Sequence, residues 1–126
     1  MTHTLIIDDL QSDIDVLAIL LEHEGLTCSS TTRAEQIDNA LQTGGTPDII
    51  FLDLELVNTT GLIMLPILRQ YDQLTHTRII AYSVHTSEIG MVQRAGFDGF
   101  LGKPLDPVHF PHILSDMLAG RPVWIA

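Results

Sequence analysis

The segment LIIDDL, residues 5–10, joins a short apolar run to two adjacent carboxylates, Asp8 and Asp9. An apolar run of this length is typical of a strand that is buried on both faces of a parallel sheet. Two neighbouring negative charges repel each other unless a positive group or water accompanies them. The segment therefore predicts a first strand that ends at a polar site with a positive partner.

Four more apolar runs follow along the chain, and longer amphipathic stretches separate them. The predicted strands are residues 4–7, 26–29, 49–52, 78–82 and 99–101, and the predicted helices are residues 12–24, 33–42, 61–71, 88–94 and 108–119. Strand–helix repeats with such short connections require a parallel sheet with helices on both faces. We predict an α/β, doubly wound five-stranded sheet with the flavodoxin-like order 2-1-3-4-5.

Local signals mark the ends of two of these helices. Ser12, with Asp15 three residues later, is the expected N-cap of the first helix, and Gly25 follows its end. Pro66 has no backbone N–H, so we expect it in or near the first turn of the third helix, where amides lack intrahelical partners.

Composition argues against several classes of function. The 126 residues suit one domain, which we place at residues 1–120 with a C-terminal tail at 121–126. A net charge of −10 opposes direct binding to nucleic acid and to anionic membranes. The chain shows no apolar stretch of membrane-spanning length and no secretion signal. Together with the single Cys28, these features predict a cytoplasmic protein that binds cations or basic protein surfaces.

Polar residues follow the carboxyl ends of four predicted strands. The first strand ends at Asp8 and Asp9, the third at Asp53, the fourth at Ser83, and the fifth continues to Lys103. Sites in doubly wound sheets lie outside these strand ends, where the strand order reverses. Three carboxylates and one ammonium favour a hard divalent cation such as Mg²⁺, and a carboxylate beside both cations can attack a phosphoryl group. Asp53 is then the best-placed acceptor.

Each of these residues also fits an ordinary structural role when it is taken alone. The acidic pair could cap the first helix, Ser83 could be a turn residue, and Lys103 could be a surface charge. The hypothesis of a site depends on their joint position at four strand ends.

Residues 4 to about 118 resemble the receiver domains of two-component response regulators. LIIDDL resembles the strand and acidic pair of that family, and IIFLDLELVNTTG, residues 49–61, resembles its phosphoacceptor segment. IIAYSVH, residues 79–85, resembles the strand that ends in Ser or Thr, and AGFDGFLGKPLD, residues 95–106, resembles the Lys-Pro segment. The resemblance implies a signalling domain that is not an enzyme beyond its own phosphorylation and dephosphorylation.

The resemblance also implies roles for the residues at the strand ends. Asp53 would accept a phosphoryl group from a histidine kinase or a histidine phosphotransfer protein, and Lys103 would bind that group next to a cis Lys103–Pro104 peptide. Asp9, Asp53 and the backbone carbonyl of Glu55 would hold Mg²⁺, with Asp8 acting mainly through water. Ser83 and Phe100 would switch the face formed by the fourth helix, fifth strand and fifth helix, where a downstream protein or a second copy would bind.

Some positions are particular to this chain. Val57 replaces the usual Pro of the family, which suggests a less rigid loop, and Phe100 lacks the hydroxyl of a switch Tyr. Glu55 and His85, two positions after Asp53 and Ser83, are expected to modulate the lifetime of the phosphoryl group in opposite directions.

Two surfaces complete the set of expectations. We expect Ile14, Ala18 and Leu105 to form the apolar patch on which the phosphoryl donor docks, unless they are ordinary surface residues. His109 and His112 are more readily explained as exposed polar residues than as a metal site. The tail with Trp124 either packs on the domain, contacts a partner or begins a linker.

Two other functions remain open at this stage. A Mg²⁺-dependent phosphatase could use Asp53 as its nucleophile and Glu55 as its acid, but such enzymes carry an added substrate cap that this chain does not contain. A pseudo-receiver would bind partners without being phosphorylated, and the presence of every acid together with Ser83 and Lys103 argues against it.

Overall fold

Six parallel strands form one sheet in the computed structural model, which describes residues 2–125. Numbered within this sheet, they are β1 (His3–Ile7), β2 (Thr27–Thr31), β3 (Ile49–Asp53), β4 (Arg78–Ser83), β5 (Gly99–Gly102) and β6 (Val123–Ile125). Their order is β2-β1-β3-β4-β5-β6, and every neighbouring pair is parallel. The predicted order 2-1-3-4-5 is confirmed, with a sixth strand added beyond β5.

Five helices cover the two faces of the sheet. They are α1 (Gln11–His23), α2 (Ile37–Gly44), α3 (Gly61–Arg69), α4 (Ile89–Ala95) and α5 (Phe110–Leu118). Side chains of α1 and α5 pack on one face, which carries Ile6 and Phe51, and those of α2, α3 and α4 pack on the other, which carries Ile7 and Leu52. Because side chains alternate along a strand, each buried strand supplies both layers, as the continuous apolar runs predicted.

The first helix begins earlier than its sequence signal indicated. The expected N-cap at Ser12 is wrong, because Leu10 caps α1 and does so without a side-chain hydrogen bond. The Oδ1 atom of Asp8 accepts the Leu10 N–H at 3.0 Å, so the carboxylate at the end of β1 fixes the entry into the helix. The helix ends before Gly25, whose φ of 87° lies in the left-handed region that glycine favours.

Ile14 does not lie on the surface, so this part of the predicted docking patch is wrong. Its side chain is buried in the same cluster as Leu17 and Leu21. Residues spaced by three and seven positions lie on the same helical face, so Ile14 extends the core stripe. Ala18 and Leu105 are half-buried and pack against that cluster.

Pro66 lies inside α3 and well beyond its first turn, contrary to expectation. The helix begins at Gly61, where the Thr60 side chain accepts the Ile63 N–H at 3.2 Å. The proline removes one helical donor, while the buried side chains of Met64, Leu65 and Leu68 hold the helix on the sheet. The preceding loop, which contains Val57, forms a small hairpin of strands Glu55–Leu56 and Thr59–Thr60.

The end of the chain returns to the sheet. Gly120, with a φ of 80°, turns the chain after α5, and Val123–Ile125 then pair with β5. Within the predicted tail 121–126, residues 123–125 therefore pack on the domain, whereas Ala126, like Met1 of the predicted domain, lies outside the described residues. Gly99 permits this pairing, because a Cβ there would lie 2.7 Å from the Val123 carbonyl oxygen. Between residues 2 and 125, no helix has the length and apolarity needed to cross a bilayer.

Candidate phosphoacceptor site

The carboxyl ends of β1, β3, β4 and β5 surround one cleft at the edge of the sheet. The cleft has a volume of about 170 Å³ and is lined by Asp9, Leu10, Asp13, Asp53, Glu55, Ser83, Val84, His85 and Lys103. The structure thus brings together the acidic, hydroxyl and ammonium groups that the sequence placed at separate strand ends. Parallel pairing in register explains this, since it aligns the ends of neighbouring strands.

Three carboxylates lie close together at the cleft, and two of them, Asp9 and Asp53, line it. Asp8 is fully buried, Asp53 is buried and Asp9 is half-buried, and one oxygen of each lies within 4.8 Å of the others. Hard divalent cations prefer such oxygen ligands, and Mg²⁺ in particular uses one or two carboxylates together with water. The donor set therefore fits Mg²⁺. Among residues 2–125, this is the one cluster of three or more potential metal ligands.

The environment of Asp53 disfavours its charged form. Burial raises the pKa of Asp53 to about 7; the hydrogen bond from the Glu55 N–H at 3.1 Å lowers it, the charge of Asp8 raises it and Lys103 lowers it. A carboxylate held this way gains from any added positive charge. The ammonium of Lys103 supplies such charge, and a bound divalent cation would add to it.

Lys103 is held by more acidic groups than the sequence indicated. Its Nζ donates to Asp8 Oδ2 at 2.8 Å and to Asp13 Oδ2 at 2.8 Å, and lies 3.7 Å from Asp53 Oδ2. Burial lowers the pKa of Lys103, but the bonds to Asp13 and Asp8 and the charge of Asp53 outweigh this and raise it overall. The ammonium also lies 4.4 Å from the centre of the Tyr82 ring, and the Lys103–Pro104 peptide is cis.

Ser83 lies between the two sides of the cleft. Its hydroxyl oxygen accepts the His85 N–H at 3.0 Å, and its carbonyl accepts the Lys103 N–H at 2.9 Å. The side chain is buried at the end of β4, which places the hydroxyl in the lining of the cleft. Ser83 is therefore hydrogen-bonded to the backbone of both His85 and Lys103.

Comparison with known proteins assigns this arrangement to a family. The profile of the response regulator receiver domain matches residues 4–115. The chain belongs to this family. A search of curated proteins gave no significant match.

Solved structures of receiver domains share its fold. A CheY-like response regulator receiver domain from Methylobacillus flagellatus is 27% identical with a TM-score of 0.80, and the match covers 93% of this chain and 98% of that one. A LuxR family DNA-binding response regulator from Silicibacter pomeroyi is 25% identical with a TM-score of 0.78, covering 100% and 97%. CheY4 of Vibrio cholerae, at 22% identity and a TM-score of 0.80 over 91% and 97%, shares the fold.

The two residues expected to modulate lifetime contact each other in this receiver domain. His85 Nε2 pairs with Glu55 Oε1 across the mouth of the cleft. The opposite effects predicted for the two side chains are therefore coupled by this contact. Their contact means that a change in either one also releases the other.

Phe100 is fully buried in this receiver domain. It lies on β5 opposite Ala81 and Trp124 and packs in the same cluster as Val92 and Phe97. The aromatic ring therefore points into the core, on the α4 side of the sheet.

His109 and His112 are exposed and have different acidic neighbours. His109 contacts Asp106, and His112 Nε2 lies 3.6 Å from Asp116 Oδ2. These separate contacts agree with the reading of both as surface residues.

Asp13 and Tyr82 were missed in the sequence. Asp13 is in the first turn of α1, which begins directly after β1, so it was bound to lie near the acidic pair. Tyr82 immediately precedes Ser83, but its apolar neighbours made it appear to be a core residue alone.

Proposed function

We propose that this receiver domain accepts a phosphoryl group on Asp53 from a histidine kinase or a histidine phosphotransfer protein. The observation that carries the proposal is the position of the Asp53 carboxylate. It lines the open cleft, lies 3.7 Å from the Lys103 ammonium, and shares a 4.8 Å cluster with Asp8 and Asp9.

The proposed reaction moves one phosphoryl group without net loss of atoms. A carboxylate oxygen of Asp53 forms a bond to phosphorus while the P–N bond of a phosphohistidine breaks and its electron pair returns to the imidazole. Asp9, Asp53 and the backbone carbonyl of Glu55 would hold Mg²⁺, and Asp8 would act mainly through water. The bound ion would supply positive charge next to the oxygens of the transferred phosphoryl group. The Lys103 ammonium would bind one phosphoryl oxygen, and the Ser83 hydroxyl would donate to another.

Phosphorylation would then change the packing around Phe100. If Ser83 turns toward the phosphoryl group, the space it leaves allows Phe100 to move, which biases a two-state arrangement of the face formed by α4, β5 and α5. A downstream protein or a second copy would bind there. The strand β6, which pairs with the outer edge of β5, would belong to that face.

The proposal includes a cytoplasmic location and no direct contact with nucleic acid or membrane. The net charge of −10 supports the latter, since phosphate-rich surfaces repel it.

Intact-mass measurement after incubation with a small acyl phosphate and Mg²⁺ tests the proposal. The wild-type chain should gain one phosphoryl group, and Asp53→Asn should gain none. Asp72→Asn is the matched control, because it makes the same change at an exposed position away from the cleft.

The other outcomes separate the alternatives. Steady release of inorganic phosphate with no adduct would support a phosphatase, and no reaction at all would support a pseudo-receiver. An adduct that persists in Asp53→Asn would overturn the assignment of the acceptor.

A further inference from the structure

Lys103 has two carboxylate partners that hold it away from the phosphoacceptor. Its Nζ lies 2.8 Å from both Asp8 Oδ2 and Asp13 Oδ2, but 3.7 Å from Asp53 Oδ2. The ammonium is therefore bound on the α1 side of the cleft, outside hydrogen-bond distance of the group it would assist.

The two partners differ in their access to solvent. The Asp8 side chain is fully buried, whereas that of Asp13 is 31% exposed and lines the cleft. Asp8 also receives the Leu10 N–H, which ties it to the backbone, while Asp13 lies in the first turn of α1. Asp8 is thus the fixed anchor of Lys103, and Asp13 is the partner that an incoming group can displace.

We propose that Asp13 is a positioning residue that holds the Lys103 ammonium off Asp53 and thereby slows phosphoryl uptake from anionic donors. This inference rests on the proposed function, because it assigns Asp13 a role in the same reaction. Asp8 and Asp13 take two of the three N–H groups of the ammonium, so the bond to Asp13 competes with a phosphoryl oxygen for the position of Lys103.

A second effect of Asp13 acts in the same direction. Its negative charge lines the cleft that a phosphoryl donor must enter, and like charges repel across a partly desolvated site. Replacing Asp13 with Asn removes this charge and weakens the bond to Lys103, because a neutral amide oxygen is a weaker acceptor than a carboxylate. Lys103 keeps its bond to Asp8, so no buried charge is left without a partner.

The test compares phosphorylation rates of two variants at saturating Mg²⁺. Asp13→Asn should raise the second-order rate constant with acetyl phosphate by about 5-fold, as expected for one nearby charge at high effective dielectric. Asp15→Asn is the matched control, because it makes the same charge change on the same helix at an exposed residue that bonds to Gln11 at 2.9 Å. The rate constant of the control should stay within about 1.5-fold of wild type at physiological salt. Asp13→Glu keeps the carboxylate, so its rate constant should stay close to that of wild type.

A spectroscopic measurement follows the contact itself. Lys103 is the only lysine in the sequence, so ¹⁵N-lysine labelling gives a single Nζ signal without assignment. Asp13→Asn should shift this signal and speed its hydrogen exchange, whereas Asp15→Asn should leave it in place. This readout needs no phosphorylation and would not respond to a purely structural change elsewhere in α1.

Several outcomes overturn the inference. A rate in Asp13→Asn that does not exceed wild type, or an equal gain in Asp15→Asn, shows that Asp13 does not restrain the reaction. An unchanged Nζ signal in Asp13→Asn shows that the contact does not position Lys103. If the wild-type chain takes up no phosphoryl group, the proposed function fails, and the Nζ signal alone then decides whether Asp13 holds Lys103.

Discussion

Two charged groups flank Asp53, and they differ in their exposure to water. The buried cluster consists of Lys103, Asp8 and Asp13, with side chains 9%, 0% and 31% exposed. The outer pair consists of Glu55 and His85, with side chains 67% and 43% exposed. Members of both groups line the same cleft as Asp53.

The difference in exposure assigns them different physical roles. Water and salt screen an exposed ion pair, so it contributes about 0–1 kcal/mol and can rearrange readily. Water and salt screen a buried ion pair much less. Removing one partner leaves the other charge buried and uncompensated, which lowers the free energy of unfolding. We therefore expect the loss of a partner in the buried cluster to destabilise the fold, and a change in the outer pair to affect mainly the access of water to Asp53.

Breaking the buried cluster should have the largest effect. Lys103→Met keeps much of the side-chain volume but leaves the acidic groups of the cleft without their ammonium, so the free energy of unfolding should fall by about 3 kcal/mol or more. Urea unfolding at neutral pH without divalent cations measures it.

Arg121→Met is the control for this experiment. It removes a cation that is 63% exposed and bonded to Asp116, and it should change the free energy of unfolding by less than about 0.5 kcal/mol. Equal losses in the two variants would contradict the distinction between buried and exposed charges.

The pH dependence of the free energy of unfolding should report the protonation of Asp53. Its pKa is raised to about 7 in the folded chain, above an ordinary unfolded value of about 4, so the folded state holds a proton that the unfolded state has lost in this range. The free energy of unfolding should therefore fall as pH rises from about 4 to 7.

In Asp53→Asn, the free energy of unfolding should no longer fall as pH rises from about 4 to 7. Without Mg²⁺ at pH 8, this variant should be more stable than wild type. Urea unfolding at several pH values in the presence of a chelator checks it, with Asp72→Asn as the control that keeps the wild-type slope. Parallel curves for wild type and Asp53→Asn would show that another group titrates.

Breaking the outer pair should change the lifetime of the phosphoryl group by a smaller factor. We expect the His85 ring to shield the phosphoryl group from water, so His85→Ala should speed its loss by about 3-fold, under 1 kcal/mol. Glu55→Ala should change the lifetime less. Intact mass against time at fixed Mg²⁺ measures both.

The double variant tests the contact between the two side chains. Because Glu55 and His85 touch, their effects should not add, and the coupling should weaken at high salt. Slower loss in His85→Ala would show that the imidazole assists the attacking water.

The smallest effect is expected where the two groups are joined, at Ser83. Ser83→Ala should still be phosphorylated, because Asp53 and Lys103 remain, but it should transmit less of the change to Phe100. Trp124 is the only tryptophan and lies opposite Phe100 in register, so its fluorescence reports on this region. The change in Trp124 fluorescence on phosphorylation should be smaller in Ser83→Ala than in wild type, and an equal change would refute the coupling.

Much of the fold and the main residues of the cleft could be predicted from the sequence. The apolar runs before Asp8 and Asp53 identified buried parallel strands, and the rule for strand ends then brought Ser83 and Lys103 to the same edge. Ile14 was also within reach, because its spacing from Leu17 and Leu21 already defines one helical face.

Other features required the folded chain. The sixth strand has only three residues, Val123–Ile125, too few for a periodic signal, and it depends on the turn at Gly120 and on the space beside Gly99. The start of α1 also depends on the folded chain, because the Leu10 N–H bonds to the Asp8 carboxylate. The capping pattern at Ser12 does not reveal this contact.

By itself, the sequence determined the order of the strands and the kinds of groups at the edge of the sheet. Burial requires apolar residues at regular positions along each strand and helix, and parallel pairing aligns the strand ends. Only the tertiary structure decided which of these groups touch. Lys103 could have bonded to any of four carboxylates, and it takes Asp8 and Asp13 because α1 begins close to β1. The bonded carboxylates lie 2.8 Å from the ammonium and Asp53 lies 3.7 Å from it, and no pattern along the chain records such small differences in distance.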